Sequence, residues 1–539
     1  MSISLLEACS PVTFSTPSVF GAEILSINAS LVENYSISVP EVYRYTQPST
    51  ELRNATFCNI TVSYTHPGQN DNVIVEAWLP VDGWNGRFQA VGGGGWVAGR
   101  FFLSYSAMYG ALADGYATIT TDAGLGSAFD ASPWALLSPG NVNLHLLQNL
   151  ASVSLNDEAI IGKSLIKSFY GRDPEFSYWN GCSQGGRQGL MLAQRYPTAY
   201  DGIAAGAPAI HWTEIFPYLQ WPQQFMNMLG AYPHGCELDA ITAAAVSACD
   251  GLDGVADGII AEIDACLARF DPFSLVGAIV NCTEAGGEVS ITTVAAAAVN
   301  ATWNGITTAD GKRTWYGINP GADLTGNDPA SYGQPGLAAT NCIAGTCVGA
   351  PNVFGSQWLQ LFVARDPDFD FSNLSHAEFA RLAHLSGQMY RSLINSDDPD
   401  LSSFRDVGGK LITFHGLADN IIPPKGTEQY YNAVASVLPD IDDFYRHYEV
   451  PGLGHCFGGR SRQPTGLFEQ LRAWVENGTA PGESPVQIMS LDGGIQSHIL
   501  CPYPQKAGFD MDCGNSSLAD CWSCHNPSQT LARYFVVAV

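Results

Sequence analysis

The stretch that most constrains this chain is 176–195, an apolar and aromatic run followed by a break and then a helical pattern. Phe176 to Trp179 reads as a buried strand. The break is Gly181-Cys182-Ser183-Gln184-Gly185, and the helical run continues through Leu190, Met191, Leu192 and Ala193. Strand, Gly-x-Ser-x-Gly turn and helix together make a nucleophile elbow. So tight a turn puts the serine in a strained backbone conformation, and only small residues fit two positions either side. That posture lifts the Ser183 hydroxyl over the sheet edge and aims the next backbone N–H, that of Gln184, at a developing oxyanion. The bare pattern arises often by chance. The flanking strand and helix, and the lack of a second copy, set this one apart from an ordinary glycine-rich turn.

Around the elbow, strands and helices alternate with glycine-rich turns at the strand ends. The run from Trp84 to Trp96 reads as a strand ending in Gly92, Gly93, Gly94 and Gly95, whose bare backbone N–H groups a ligand oxygen can approach closely. With the elbow downstream, Gly94 and Gly95 become candidates for the second half of an oxyanion hole. Further strands are expected within 117–124, 200–208, 409–419 and 444–450, and helices at 159–170 and 465–476. This rhythm predicts a doubly wound α/β sheet. Residues 1–80 carry short β-like runs at 37–39, 59–64 and 72–80 that feed the main sheet, with a Cys9–Cys58 staple expected. Between 209 and 401 the rhythm changes to helical pieces, Gly/Asn/Thr-rich loops and six cysteines. That region reads as an inserted lid over a catalytic domain formed by 1–208 and 402–539.

Serine is a poor nucleophile until a base takes its proton, and the base needs an acid to hold its tautomer. In the order Ser…Asp…His, the acid follows a late strand and the histidine follows the last one. Asp419 and His455 occupy those places. His415 is the main rival to His455 as the base, but it precedes the acid in the chain, as a residue packed behind the acid loop would, while His447 falls inside a strand. Asp442 and Asp443 are the alternatives for the acid, in what looks like a solvated turn. Cys182 precedes the serine and Cys456 follows the histidine, so a bridge between them would tie the nucleophile turn to the base loop.

The net charge of −27 argues against nucleic acid and anionic membranes as partners. No apolar run approaches the roughly 20 residues of a membrane span. Fourteen cysteines, beside nine Asn-x-Ser/Thr sequons at Asn28, Asn34, Asn54, Asn59, Asn281, Asn300, Asn373, Asn477 and Asn515, point to a secreted glycoprotein. The first residues lack the basic and long apolar segments of a signal peptide, so a leader is expected to lie outside this sequence.

The set Cys182-Ser183, Asp419 and His455-Cys456 resembles the signature of the tannase/feruloyl esterase family, and the resemblance extends over most of the chain. It implies an α/β-hydrolase fold with a large lid and a serine carboxylic ester hydrolase. The expected substrate is a small ester of a hydroxycinnamic or hydroxybenzoic acid, attached to plant polysaccharide or polyphenol. A feruloyl-type acyl group is preferred here, with galloyl or another small aromatic ester as the alternative; a non-catalytic binding protein would not keep all three residues. Within the lid, Asp250, Asp253 and Asp257 lie close together among glycines, where their repulsion is wasted unless a cation sits between them. Hard oxygen ligands suit Ca²⁺, with the carbonyls of Val255 and Ile259 completing the shell. The resemblance places a structural calcium on this loop, with a Cys249–Cys266 bridge pinning its ends. In the tail Cys501–Cys524 is expected; the partners of Cys236, Cys282, Cys342, Cys347, Cys513 and Cys521 stay open.

Overall fold

The computed structural model describes residues 5–343, 345–490 and 492–526. One nine-stranded sheet organises it, made of β1 (Glu23–Val39), β2 (Thr50–Thr65), β3 (Val73–Pro80), β4 (Arg87–Val91), β5 (Ala117–Thr121), β6 (Phe176–Cys182), β7 (Gly202–Gly206), β8 (Lys410–Gly416) and β9 (Tyr445–Val450). Their spatial order is β1-β2-β3-β5-β4-β6-β7-β8-β9. The β1/β2, β2/β3 and β3/β5 pairs are antiparallel, and every later pair is parallel. An antiparallel edge, a β5/β4 crossover and a parallel run bearing the elbow are the topology of an α/β-hydrolase.

The parallel strands are short, apolar and buried on both faces, as a sheet covered twice must be. Alternate residues face opposite layers, and the first long helix of those layers is α1 (Phe102–Ala113). Ile203 and Leu411 pack under α2 (Ser154–Tyr170), α3 (Gln184–Arg195) and the later helix 425–437, whereas Ala204 and Ile412 pack under the helix 467–477. Between β7 and β8 the chain builds α4 (Trp212–Leu229), α5 (Gly235–Cys249), α6 (Thr293–Asn304) and α7 (His376–Ile394). Their core is rich in tryptophan: Trp212, Trp221, Trp303 and Trp358 join Trp96 and Trp134 from the first half of the chain.

The N-terminal strands are much longer than the short runs expected. β1 spans 17 residues and β2 spans 16, paired through register shifts near Val32 and Tyr35. β1 is the sheet edge, and most of its side chains are exposed or half-buried. Its polar, solvent-facing residues carry no clean alternation for a sequence pattern to find. Among the helical pieces between 209 and 401, the stretch 358–364 is π-helical. All seven bridges form: Cys9–Cys58, Cys182–Cys456, Cys236–Cys282, Cys249–Cys266, Cys342–Cys347, Cys501–Cys524 and Cys513–Cys521.

Candidate active site

Ser183 stands between the end of β6 and the start of α3 with φ 63° and ψ −120°, a sparsely populated conformation for a residue with a side chain. The turn is held by Ser183 N–H donating to Gly206 O at 2.9 Å, and by Ala209 N–H donating to Ser183 O at 3.1 Å. Glycine is required around it for a steric reason. A Cβ on Gly181 would sit 2.7 Å from the Gly185 carbonyl, and one on Gly92 would sit 2.6 Å from Gly185 Cα. The elbow and the glycine loop therefore touch backbone to backbone.

Ser183 Oγ lies 2.9 Å from His455 Nε2, and His455 Nδ1 lies 2.8 Å from Asp419 Oδ2. The Asp419 carboxylate has no solvent exposure, and its Oδ1 accepts the N–H groups of Ile421 and Ile422 at 2.8 and 2.7 Å. Burial pushes this acid upward, but the charge and hydrogen bonds of His455 and His415 outweigh burial and hold it well below the usual carboxylate range. His415 is thus more than a packing residue: its Nε2 sits 3.0 Å from Asp419 Oδ2 while its Nδ1 meets Thr427 Oγ1 at 2.8 Å. His447 lies inside β9 against Thr413, pushed down to about 3 chiefly by burial. Asp442 pairs with Arg446 in the turn before β9, away from the histidine. The Cys182–Cys456 bridge, with Cα atoms 6.0 Å apart, joins the residues adjacent to Ser183 and His455. From the stretch between β7 and β8, Gln334 Nε2 donates to His455 O at 2.7 Å.

The glycine loop is sewn to the elbow by Gly185 N–H donating to Gly93 O, and by Gly93 N–H donating to Gln188 Oε1. Gly94 N–H is already spent on Val97 O at 3.0 Å, which narrows the loop's contribution to Gly95. The N–H groups of Gly95 and Gln184 meet no acceptor among the described residues. Both residues line a cavity of about 190 Å³ that also reaches Ser183 and His455. Its wall is mostly carbon, with Tyr45, Phe129, Trp212, Phe216, Phe354 and Phe457 as the aromatic residues.

The aspartate loop lies apart from this cavity, next to the Cys249–Cys266 bridge. Asp250 Oδ1 accepts the N–H groups of Asp257, Gly258 and Ile259. Asp253 is pushed up to about 6 and Asp257 to about 7, in each case by burial first and by neighbouring carboxylates after it. Two groups of metal-type ligands converge elsewhere among the described residues, His234 with Cys342 and Cys347, and Cys236 and Cys282 with Glu284. The cysteines of both are spent in disulfides. The three aspartates do not converge as closely, yet crowded carboxylates beside backbone carbonyls are the donor chemistry of a hard divalent cation.

Comparison with known proteins agrees with this geometry. The family model described as tannase and feruloyl esterase matches residues 58–524. A protein of Arthroderma benhamiae described as a probable feruloyl esterase is 36% identical over 97% of this chain and 95% of its own length. The tannase of Aspergillus oryzae is 28% identical over 89% of this chain and 88% of its own. Among solved structures, the tannin acyl hydrolase of Aspergillus niger superposes with a TM-score of 0.84 at 27% identity, covering 99% of this chain and 98% of that one. With the family model matched over most of its length and a full-length relative at this identity, the chain belongs to the tannase and feruloyl esterase family.

Proposed function

We propose that this carboxylic ester hydrolase cleaves esters of hydroxycinnamic acids through an acyl-enzyme on Ser183. The observation that carries the proposal is the unbroken hydrogen-bonded series Ser183–His455–Asp419 opening on an apolar, ring-walled cavity. His455 Nε2 takes the proton as Ser183 Oγ attacks the ester carbonyl, and Asp419 stabilises the imidazolium that forms. The oxyanion is held by the N–H groups of Gln184 and Gly95. His455 then protonates the departing alcohol, and a water repeats the sequence to free the acid.

A hydroxycinnamoyl group suits the carbon-rich wall better than a galloyl ring, whose three hydroxyls each need a partner. Galloyl ester hydrolysis is the second reading, favoured by the likeness to the tannin acyl hydrolase. Rates on methyl ferulate, methyl caffeate and methyl gallate, with Ser183→Ala as the blank, decide between them. Loss of Ser183 is expected to cost about a million-fold in kcat. Turnover that survives the substitution overturns the mechanism, and a preference for the gallate overturns the acyl assignment.

In the same proposal, Asp250, Asp253 and Asp257 with the carbonyls of Val255 and Ile259 hold a calcium ion that shapes the loop and takes no part in the chemistry. Secretion and glycosylation are supported by seven disulfides and by sequon asparagines that are exposed at Asn28, Asn34, Asn54, Asn281, Asn373, Asn477 and Asn515. No helix among the described residues is long and apolar enough to cross a membrane. The ester is expected on plant polysaccharide or polyphenol, where such acids occur as substituents.

A further inference from the structure

The triad leaves one hydrogen bond on Asp419 without a task. Its Oδ1 accepts two backbone N–H groups, and its Oδ2 accepts from two imidazoles at once, His455 Nδ1 at 2.8 Å and His415 Nε2 at 3.0 Å. His455 is the base. His415 has no place in the reaction as written, yet its side chain is fully buried near the end of β8 and points at the acid.

The neighbours of His415 decide where its hydrogens lie. Nε2 faces only acceptors, the Asp419 carboxylate and Ile422 O at 3.2 Å, so it carries a hydrogen whatever the charge of the ring. Nδ1 faces the Thr427 hydroxyl at 2.8 Å, in the first turn of the helix 425–437, and a hydroxyl can give or take that bond. In either state His415 donates to Asp419 and is braced from behind by Thr427. A donor on a carboxylate oxygen draws on the negative charge that the oxygen offers its other partner. The His455 imidazolium is therefore stabilised less than it would be beside an Asp419 bound to it alone.

We propose that His415 is a positioning residue that, by sharing Asp419 Oδ2, makes His455 a weaker base and keeps it free to activate Ser183 in more acidic solution. The rest of the chain supplies the reason for such a device. A net charge of −27 favours protonation of any histidine that reaches the surface, and a second donor on the acid opposes that bias. This inference rests on the esterase reading and adds the pH range of the same site.

Other ionisable groups pack around the pair. On β9, His447 is pushed down to about 3 and stays neutral, while on α4 burial pushes Tyr218 upward, out of the working range. His211, beside Asp397, lies near Gly426 at the start of the helix that carries Thr427. Glu449, in register with His415 on β9, is raised to about 7 by burial first and then by Glu428, with Lys506, Lys425 and Asp264 also near it. Glu449 titrates where the base does, so the test includes a control for it.

The test follows the second-order rate of Ser183 labelling by a fluorophosphonate from pH 4 to pH 9, which needs the base but not a particular acyl group. His415→Met keeps the volume and removes the donor. Its acid limb should move up by about 0.5–1 pH unit, roughly a threefold to tenfold loss of free base at any pH below the limb. His415→Gln, whose amide N–H can stand in for Nε2–H, should return the limb toward its native place. Thr427→Val removes only the brace and should shift the limb the same way by a smaller step, about twofold in free base; it carries the test if His415→Met does not fold. The height of the plateau is not the readout, because general damage to the site slows labelling equally at every pH. A limb that stays in place or moves down in the folded variant overturns the proposal, as does a shift that disappears when Glu449→Gln is added. Labelling that survives Ser183→Ala, or no labelling of the native enzyme, overturns the esterase reading instead.

Discussion

Replacing Cys182 and Cys456 together by alanine separates two jobs that one bridge can do. As a staple, it closes a loop of 274 residues, for which the chain-entropy model gives about 5–6 kcal/mol. The dependence on length is logarithmic, so the shorter bridges inside that loop, Cys236–Cys282 with Cys249–Cys266 nested in it and Cys342–Cys347, reduce the figure by only a few tenths of a kcal/mol. Residual structure in the unfolded chain brings the expected loss to about 3–5 kcal/mol. As a positioning device, it fixes the backbone beside Ser183 to the backbone beside His455, whose reacting atoms stand 2.9 Å apart. A displacement of about 1 Å there costs on the order of a hundredfold in rate. The double variant should therefore lose both stability and kcat, the latter by about 10- to 100-fold, with KM held within about threefold. The control is the double alanine variant of Cys342 and Cys347, which closes a loop of only five residues away from the cavity. It should lose about 2 kcal/mol and keep its kcat. Urea unfolding and steady-state kinetics on methyl ferulate read both quantities. Full kcat in the Cys182/Cys456 variant, alongside the expected loss of stability, would refute the positioning argument and leave a plain staple.

Three further outcomes follow from the same structure. Asp419→Asn keeps the acceptors for the Ile421 and Ile422 N–H groups but turns an NH₂ toward the histidines, so it should fold normally and lose about 10⁴ in kcat through the wrong His455 tautomer; circular dichroism and kinetics check the two halves. Calcium chelation should lower the melting temperature more at pH 7 than at pH 4.5. Asp253 and Asp257 are raised in the fold, so their ionisation destabilises the metal-free protein as pH climbs from about 4 toward 7, and the calcium proposed for this loop would offset that cost. His66 is clamped between Asp157 and Asp71, and its hydrogen bond to Asp157, outweighing burial and aided by Asp71, lifts it to about 9. A raised histidine stabilises fully below about pH 6.5 and ceases to do so as pH passes about 9, so, after a discount for solvent screening, the deficit of His66→Gln should be on the order of 1–2 kcal/mol at pH 6 and fade by about pH 10 in pH-resolved unfolding.

What was legible in the sequence was whatever is local. Ser183, the glycine loop, Asp419 and His455 each sit at the end of a short apolar strand, where period and punctuation coincide, and the fold delivers those ends to one edge because the strands are parallel. The N-terminal strands were only partly legible, since an edge strand facing water has no reason to alternate. His415 was visible as a residue but not as a partner. Its place four residues before Asp419, across the turn that ends β8, is the signal that could have shown it facing back onto the carboxylate. Gly94 and Gly95 are alike in sequence and differ only because Val97 folds back to take one of the two N–H groups.

Arg187 shows most clearly where local signals stop. In the sequence it is one cation in the polar first turn of a helix, and a helix surface exposed to water would explain it fully. In the structure every acceptor it uses is a neutral oxygen, and all but one arrive from segments 36 to 207 residues away. The exception, Gln184, is the residue whose backbone N–H is proposed to receive the oxyanion. A charge buried among neutral dipoles costs free energy that no surface arginine would incur. Burial pushes the group down to about 9, and the nearby charge of Arg195 adds to the cost. Such a cost is tolerable at a position that orders several elements at once. One side chain joins the nucleophile turn, the π-helical turn at Asn149–Val153, the end of α7 and the Trp212 wall, so the acyl cavity and the catalytic serine are set by a common part. A change in the segment between β7 and β8 that moves Ile394 or Trp212 is then felt at Ser183, although neither residue touches the reacting atoms.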